Sequence, residues 1–285
     1  MMKKLFSLVI CVMAVLFVGC ELNAPEVSGV FSVSETKQVT FSPGNLQYTQ
    51  STGTWSFAST QWEVIGTDNV INGSVSSDKY GDSKKGTALA DKVDLFGWST
   101  LSTNCGVSIS ANCDTYYGSF VDWGKNKIGN DAPNTWRTLT YDEWKYLLNT
   151  RPKASSLKGV AQVNGVNGLI LLPDSWTCPA GVTFMSDFHS SDGVDYYAAY
   201  QTFTADQWAK LEDAGAVFLP AAGGRFQFEG SRCSDVKWVQ GSGYYWSATE
   251  DGNLNARCLR FYSNVAFMSG SGRECGYSVR LVKDL

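Results

Sequence analysis

The chain has 285 residues, 44% hydrophobic, 13% aromatic and 18% charged, enough to bury a large core as one big domain or two small ones. Its formal charge is −4, and setting aside Lys3 and Lys4 of an apolar leader leaves 21 basic residues against 27 acidic, or −6. A nucleic-acid partner needs a basic face to neutralise phosphates, and this balance argues against one.

Met1 to Cys20 reads as a targeting segment: Lys3 and Lys4 form a positive start, and Leu5 to Val18 is an apolar run shorter than the roughly 20 residues that span a bilayer. Phe17-Val-Gly-Cys20 resembles a bacterial lipobox, so residues 1–19 are expected to be a signal peptide and Cys20 the lipidated first residue of the mature chain. One acyl chain contributes about 0.8 kcal/mol per buried methylene, so stable anchoring needs several, which a triacylated Cys20 would supply. Residues 20–30, with Pro25 and no apolar period, read as a tether, and residues 31–285 as the folded domain.

From Phe31 to about Gly66 the spacing of Phe31, Val33, Val39 and Phe41 predicts half-buried strands, with Ser42-Pro-Gly-Asn45 as a turn and Trp55, Phe57 and Trp62 following. Asn69 to Thr87 is polar and rich in Gly and Ser, the composition of a surface loop. Thr140-Tyr-Asp-Glu143 predicts a capping box, in which the Thr hydroxyl accepts the Glu amide while the carboxylate reaches back, with Tyr141, Trp144, Leu147 and Leu148 on one face. Thr204-Ala-Asp-Gln207 repeats the arrangement, with Leu211 on the buried face and Gly215 as the stop. Each is followed downstream by an apolar strand ending at proline, Leu169 to Pro173 and Ala216 to Pro220. Two short helices among many short, Gly-punctuated strands make an α+β pattern.

The stretch from Gly243 to Leu285 carries the most specific signal. Leu259 and Phe261 alternate with Cys258, Arg260 and Tyr262, and Val279 and Leu281 alternate with Ser278 and Arg280, so both ends read as strands. Ser269-Gly-Ser-Gly-Arg273 between them reads as loop. An apolar frame thus carries side chains of no consistent chemistry, as a recognition surface permits and an enzyme does not.

The frame Tyr244-Tyr-Trp-Ser-Ala-Thr249, Ala256, Leu259, Phe261, Ser263, Val265, Arg273, Gly276 and Ser278-Val-Arg-Leu-Val282 resembles the C-terminus of the Fibrobacter succinogenes major paralogous domain. Phe41-Ser-Pro-Gly-Asn-Leu-Gln-Tyr48, Asp94-Leu-Phe-Gly-Trp98, Trp136 to Trp144 and Phe218 to Arg225 extend the likeness over most of the chain from Phe31. The resemblance implies a C-type-lectin-like fold related to the formylglycine-generating enzymes, on an outer-membrane, surface-exposed lipoprotein. Some such lipoproteins are variable proteins of diversity-generating retroelements, in which Asn codons are randomised to many residues but not to Lys, Gln, Glu, Met or Trp. From Leu254 to Tyr277 only Met268 and Glu274 fall outside that set. The likeness therefore implies a variable region at about 247–278. Its ligand-binding positions would be Arg257, Cys258, Arg260, Tyr262, Ala266, Phe267, Ser269, Ser271, Glu274 and Tyr277, facing a protein or carbohydrate on a host or bacterial surface.

Candidate chemistry elsewhere is sparse, and neither enzyme activity nor a cofactor is expected. Cys105 and Cys113 flank a short loop and could pair; Cys258 and Cys275 could bridge the hairpins or be products of diversification; six cysteines outside the leader and Cys20 allow 15 connectivities. The oxidase chemistry of the related enzymes needs a cysteine pair in a motif that this C-terminus lacks. His189, the single histidine, lies among polar residues with Asp187 and Asp192, without the strand-turn-helix setting of a hydrolase serine or a ligand set for zinc. Asp251, Asn253 and Asn255 could offer oxygens to calcium, but such a run also makes a plain turn, and no metal is expected.

Overall fold

Alternate residues of single strands enter different hydrophobic clusters, which is how the fold packs short strands into a continuous interior. Leu169 and Leu171 join one cluster while Ile170 and Leu172 join another; Val217 and Leu219 part from Ala216 and Phe218 in the same way. Period-two alternation in strands apolar on both faces requires this division.

The computed structural model describes residues 29–66, 69, 91–99, 116, 118–188, 190–226 and 235–285. The leader, Cys20, most of the tether, the polar run after Asn69, Cys105, Cys113, His189 and Cys233 lie outside the described residues. Gly29 and Val30, assigned to the tether, already belong to the domain: Gly29 is buried so closely on Gly215 that a Cβ would strike its carbonyl, and Val30 accepts the Asp174 amide. Asn69, expected to open a surface loop, is buried, with its side chain accepting from the Asp94 amide.

The architecture is mixed α+β, with few short helices and mostly antiparallel strands. Five sheets carry sixteen strands among the described residues, and one strand pairing is parallel. One sheet runs Phe31–Ser32, Gln38–Phe41, Leu281–Asp284, Arg137–Thr138 in spatial order. A second runs Val217–Pro220, Val166–Leu171, Lys158–Val163, Thr202–Phe203, making the two proline-ended apolar runs direct neighbours, with Val217 opposite Leu171. Thr54–Phe57, Leu46–Thr49 and Lys92–Val93 form a third sheet, Gly224–Phe226 and Asp235–Lys237 a small fourth, and the C-terminal region the fifth.

Both capping boxes form. The Thr140 hydroxyl accepts the Glu143 amide and the carboxylate accepts the Thr140 amide; Thr204 and Gln207 do the same. The helix Tyr141–Lys145 runs on into a wider turn, Tyr146–Thr150, burying Trp144, Leu147 and Leu148, while the helix Ala205–Asp213 buries Trp208 and Leu211. It ends before Gly215, whose φ of 92° suits a residue without Cβ. A third helix, Asp195–Tyr200, adds to the two expected. It has no side-chain cap and buries one residue, Tyr197, whose hydroxyl donates to the Gly241 carbonyl at 3.1 Å. Neither periodicity nor cap announces such a helix.

Candidate ligand-binding surface

The C-terminal sheet is a three-stranded meander of Gly243–Asp251, Asn255–Tyr262 and Val265–Gly272. The run Ser269 to Gly272, read from sequence as loop, is strand: Ser269 pairs with Cys258, Gly270 with Arg257, Ser271 with Ala256 and Gly272 with Asn255. Its glycines serve close packing instead of a turn. A Cβ at Gly270 would run into the Asp251 carboxylate, and one at Gly272 into that of Glu274.

Cross-strand pairing assigns every side chain a face. Tyr245, Leu259 and Phe261 enter the cluster that holds Phe41 and Trp144, and Ala266 and Met268 pack against it. Tyr244, Trp246, Ala256 and Cys258 enter the cluster of Trp55, Phe96, Trp98 and Tyr277. The sheet is therefore covered on both sides at its middle. Hydrogen bonds fix the covering: the Trp246 indole donates to the Phe96 carbonyl at 2.7 Å, the Trp98 indole to Ser247 at 2.8 Å, and the Tyr245 hydroxyl to Pro220 at 2.9 Å.

Two expected ligand-binding positions consequently leave the surface, and a third turns toward the core. Cys258 is 1% exposed and Tyr277 is 2% exposed. Ala266 lies on the core-facing side of its strand. Tyr277 stacks on Tyr244 at 4.8 Å and 20°, and its hydroxyl shares a 2.6 Å hydrogen bond with Ser271. Burial pushes both groups' pKa up, that of the Cys258 thiol to about 12 and that of Tyr277 well above its usual value. Cys258 and Cys275 form no disulfide with one another, so no bridge staples the hairpins. Ser278 and Arg280, which alternate with Val279 and Leu281, are buried too; Arg280 donates to Asn45 at 3.3 Å and Gln61 at 2.5 Å, and burial lowers its pKa to about 10. Regular strand at this end begins only at Leu281.

Arg257 sits on the other face from Arg260. It pairs with Asp251 at 2.8 Å and lies 5.3 Å over the Tyr141 ring, so the Asp251 carboxylate is already engaged. Glu274 is half-buried beside Gly272.

The remaining positions come together. Tyr244 and Arg260 are opposite one another, as are Arg260 and Phe267, Tyr262 and Val265, and Cys258 and Ser269. Arg260, Tyr262, Phe267, Ser269 and Ser271 thus share a partly exposed face with Val265, which is 38% exposed. The Arg260 guanidinium lies 5.1 Å over Tyr244 and 4.7 Å over Tyr262, whose ring is 6.3 Å from Phe267. Such stacking presets a cation without neutralising it. Among the described residues Arg260 has no carboxylate partner, whereas Arg151, Arg257 and Arg273 each have one and Arg137 has two.

Two aromatics absent from the sequence reading extend this face. Phe226 and Trp238 pack at 4.7 Å, and Phe226 lies 5.4 Å from Tyr244. Trp238 has a φ of 60° and Gln240 one of 67°, left-handed conformations that cost a side-chain-bearing residue about 1 kcal/mol or more and cluster at functional sites. No local sequence signal marks either. Comparison with protein-family models, curated proteins and solved structures finds no match for this chain.

Proposed function

We propose that the protein is a ligand-binding lipoprotein, anchored in the outer membrane through Cys20, whose C-type-lectin-like domain displays the Arg260, Tyr262, Phe267 and Val265 face to a protein or glycan. The observation that carries this reading is Arg260, held between two tyrosine rings with no carboxylate partner among the described residues. A guanidinium so placed suits an acidic group on the ligand, with flat aromatic surface around it for the rest.

Within that reading, a fixed binder is favoured over a diversified one. Randomisation requires positions that tolerate almost any side chain, whereas Cys258 and Tyr277 are packed into the cluster on one side of the sheet and Ala266 lies against the cluster on the other. The gene neighbourhood tests the choice: a reverse-transcriptase gene beside a near-copy of the coding sequence for 246–285, differing only at template adenines, would restore diversification.

Binding itself is tested by screening glycan and surface-protein arrays with the purified chain and its Arg260→Ala/Tyr262→Ala variant. Expected is a hit that the double variant loses by about 30-fold or more, as removal of a stacked anchor does, with the melting temperature little changed. Retained binding removes this face as the site, and a collapse in melting temperature makes both side chains structural.

A further inference from the structure

A second site lies away from the C-terminal sheet. A half-open cleft of about 600 Å³ is lined by residues of the Leu46–Thr49, Thr54–Phe57 and Lys92–Val93 strands and by the segment 126–129. Dedicated small-molecule sites fall between roughly 300 and 1,000 Å³.

Cross-strand pairing shows which side chains share its floor. Thr49 is opposite both Thr54 and Lys92, and Gln47 is opposite Ser56, so these belong to one face of the sheet. Tyr48 is opposite Trp55 on the other, and Trp55, 6% exposed, forms a wall instead of an open stacking platform. Lys92 gives one hydrogen bond to Gln47 at 3.2 Å, which leaves the rest of its ammonium free to meet a ligand, and Lys127 is exposed. No carboxylate is among the described residues that line it, although the chain as a whole is acidic. The Ser56 hydroxyl is buried without a partner. The Asn126 amide nitrogen donates to the Trp123 carbonyl at 3.0 Å, leaving its oxygen as an acceptor.

Two ammoniums with no carboxylate beside them among the described lining residues call for an anion. The space decides what kind. It holds the liquid volume of about 20 waters, far more than a bare sulfate or phosphate displaces, and its other contacts are hydroxyls and a carboxamide, which complement a polyhydroxylated body. The geometry points to a binding site for an acidic sugar, a uronate unit of a glycan, with the carboxylate between Lys92 and Lys127 and the ring hydroxyls toward Thr49 and Asn126. This site stands whether or not the Arg260 face binds anything.

Calorimetric titration of the full-length protein with a glucuronate-containing disaccharide, the matching neutral disaccharide and sodium sulfate tests it. Expected is saturable binding of the acidic disaccharide at or below about 1 mM, at least tenfold tighter than either other probe. Lys127→Glu should weaken it at least tenfold while leaving the melting curve in place, because that side chain is exposed. Lys92→Gln should weaken it as well. Equal affinity for the neutral sugar, equal affinity for sulfate, no saturation by the acidic disaccharide, or unchanged binding by Lys127→Glu each overturns the proposal. Loss of binding on Arg260→Ala but not on Lys127→Glu would assign the sugar to the C-terminal face and overturn the cleft as well.

Discussion

Replacing Arg273 with Ala should cost about as much stability as truncating a large buried side chain of the core, although the residue lies in what reads from sequence as a Gly/Ser loop. Its side chain is 2% exposed and its guanidinium stands 4.3 Å over the Trp98 ring. It donates to the carbonyls of Asn255 at 3.1 Å, Gly252 at 2.9 Å and Gly118 at 3.2 Å, tying the turn between two strands to a separate segment. The residues bearing these carbonyls are exposed, so water can reach them after truncation, and about 1 kcal/mol for each bond is the fitting magnitude. The stacked cation adds about 1 kcal/mol, giving a total of about 4 kcal/mol. For a domain of this size each kcal/mol moves the melting midpoint by about 2–4 °C, so the midpoint should fall by about 8–16 °C. Urea unfolding followed by tryptophan fluorescence, with thermal melts alongside, measures both. Glu250→Gln is the control: its side chain is 68% exposed and 3.3 Å from Arg273, so its loss should cost under about 1 kcal/mol. An Arg273→Ala protein within about 1 kcal/mol of the parent, or a Glu250→Gln variant equally destabilised, would refute the assignment of this stability to the carbonyl clamp.

Asp94 is buried, and desolvation raises its pKa to about 6. The folded chain holds this proton more tightly than the unfolded one, so the associated stability is full below about pH 4 and is lost as the pH rises through about 6. The span from 3.8 corresponds to about 3 kcal/mol, and Asp94→Asn should flatten that part of the pH profile in denaturant melts. Gly243→Ala should destabilise by about 1–3 kcal/mol, because its Cβ would enter the buried Phe261 ring; an unchanged midpoint in urea would contradict that fit. With iodoacetamide on the native protein, mass spectrometry should find exposed Cys178 alkylated well before Cys258, whose burial keeps the thiol protonated; equal rates would contradict the packing beneath the sheet.

What the sequence disclosed were the features decided within a few residues. Thr140 to Glu143 and Thr204 to Gln207 carry their capping partners at fixed offsets, so both helix starts were legible. The apolar alternation around Phe31, Val39 and Phe41 likewise located strands. Ser269 to Gly272 misled because Gly and Ser have turn chemistry in isolation, while here a neighbouring strand supplies every partner. Tyr277 looked like a surface residue until Phe226 and Tyr244, distant in the chain, closed over it. Arg273 and Arg280 were read as part of the frame, but their burial was not legible: a guanidinium deep inside is tolerated only where carbonyls or amides from elsewhere converge on it, and sequence order does not show convergence.

The placement of Leu281–Asp284 between Gln38–Phe41 and Arg137–Thr138 has a kinetic consequence. Val282 is hydrogen-bonded in register with Phe41, so the first sheet to leave the ribosome cannot close until nearly the whole polypeptide has been made. Pairings this remote in sequence make folding slow, because a very long loop must be closed before any contact rewards it. For a lipoprotein that must reach the outer membrane, as proposed above, that delay is useful: a chain not yet folded can still be threaded across a membrane, and a product cut short before residue 281 lacks the strand that joins the two halves of the sheet.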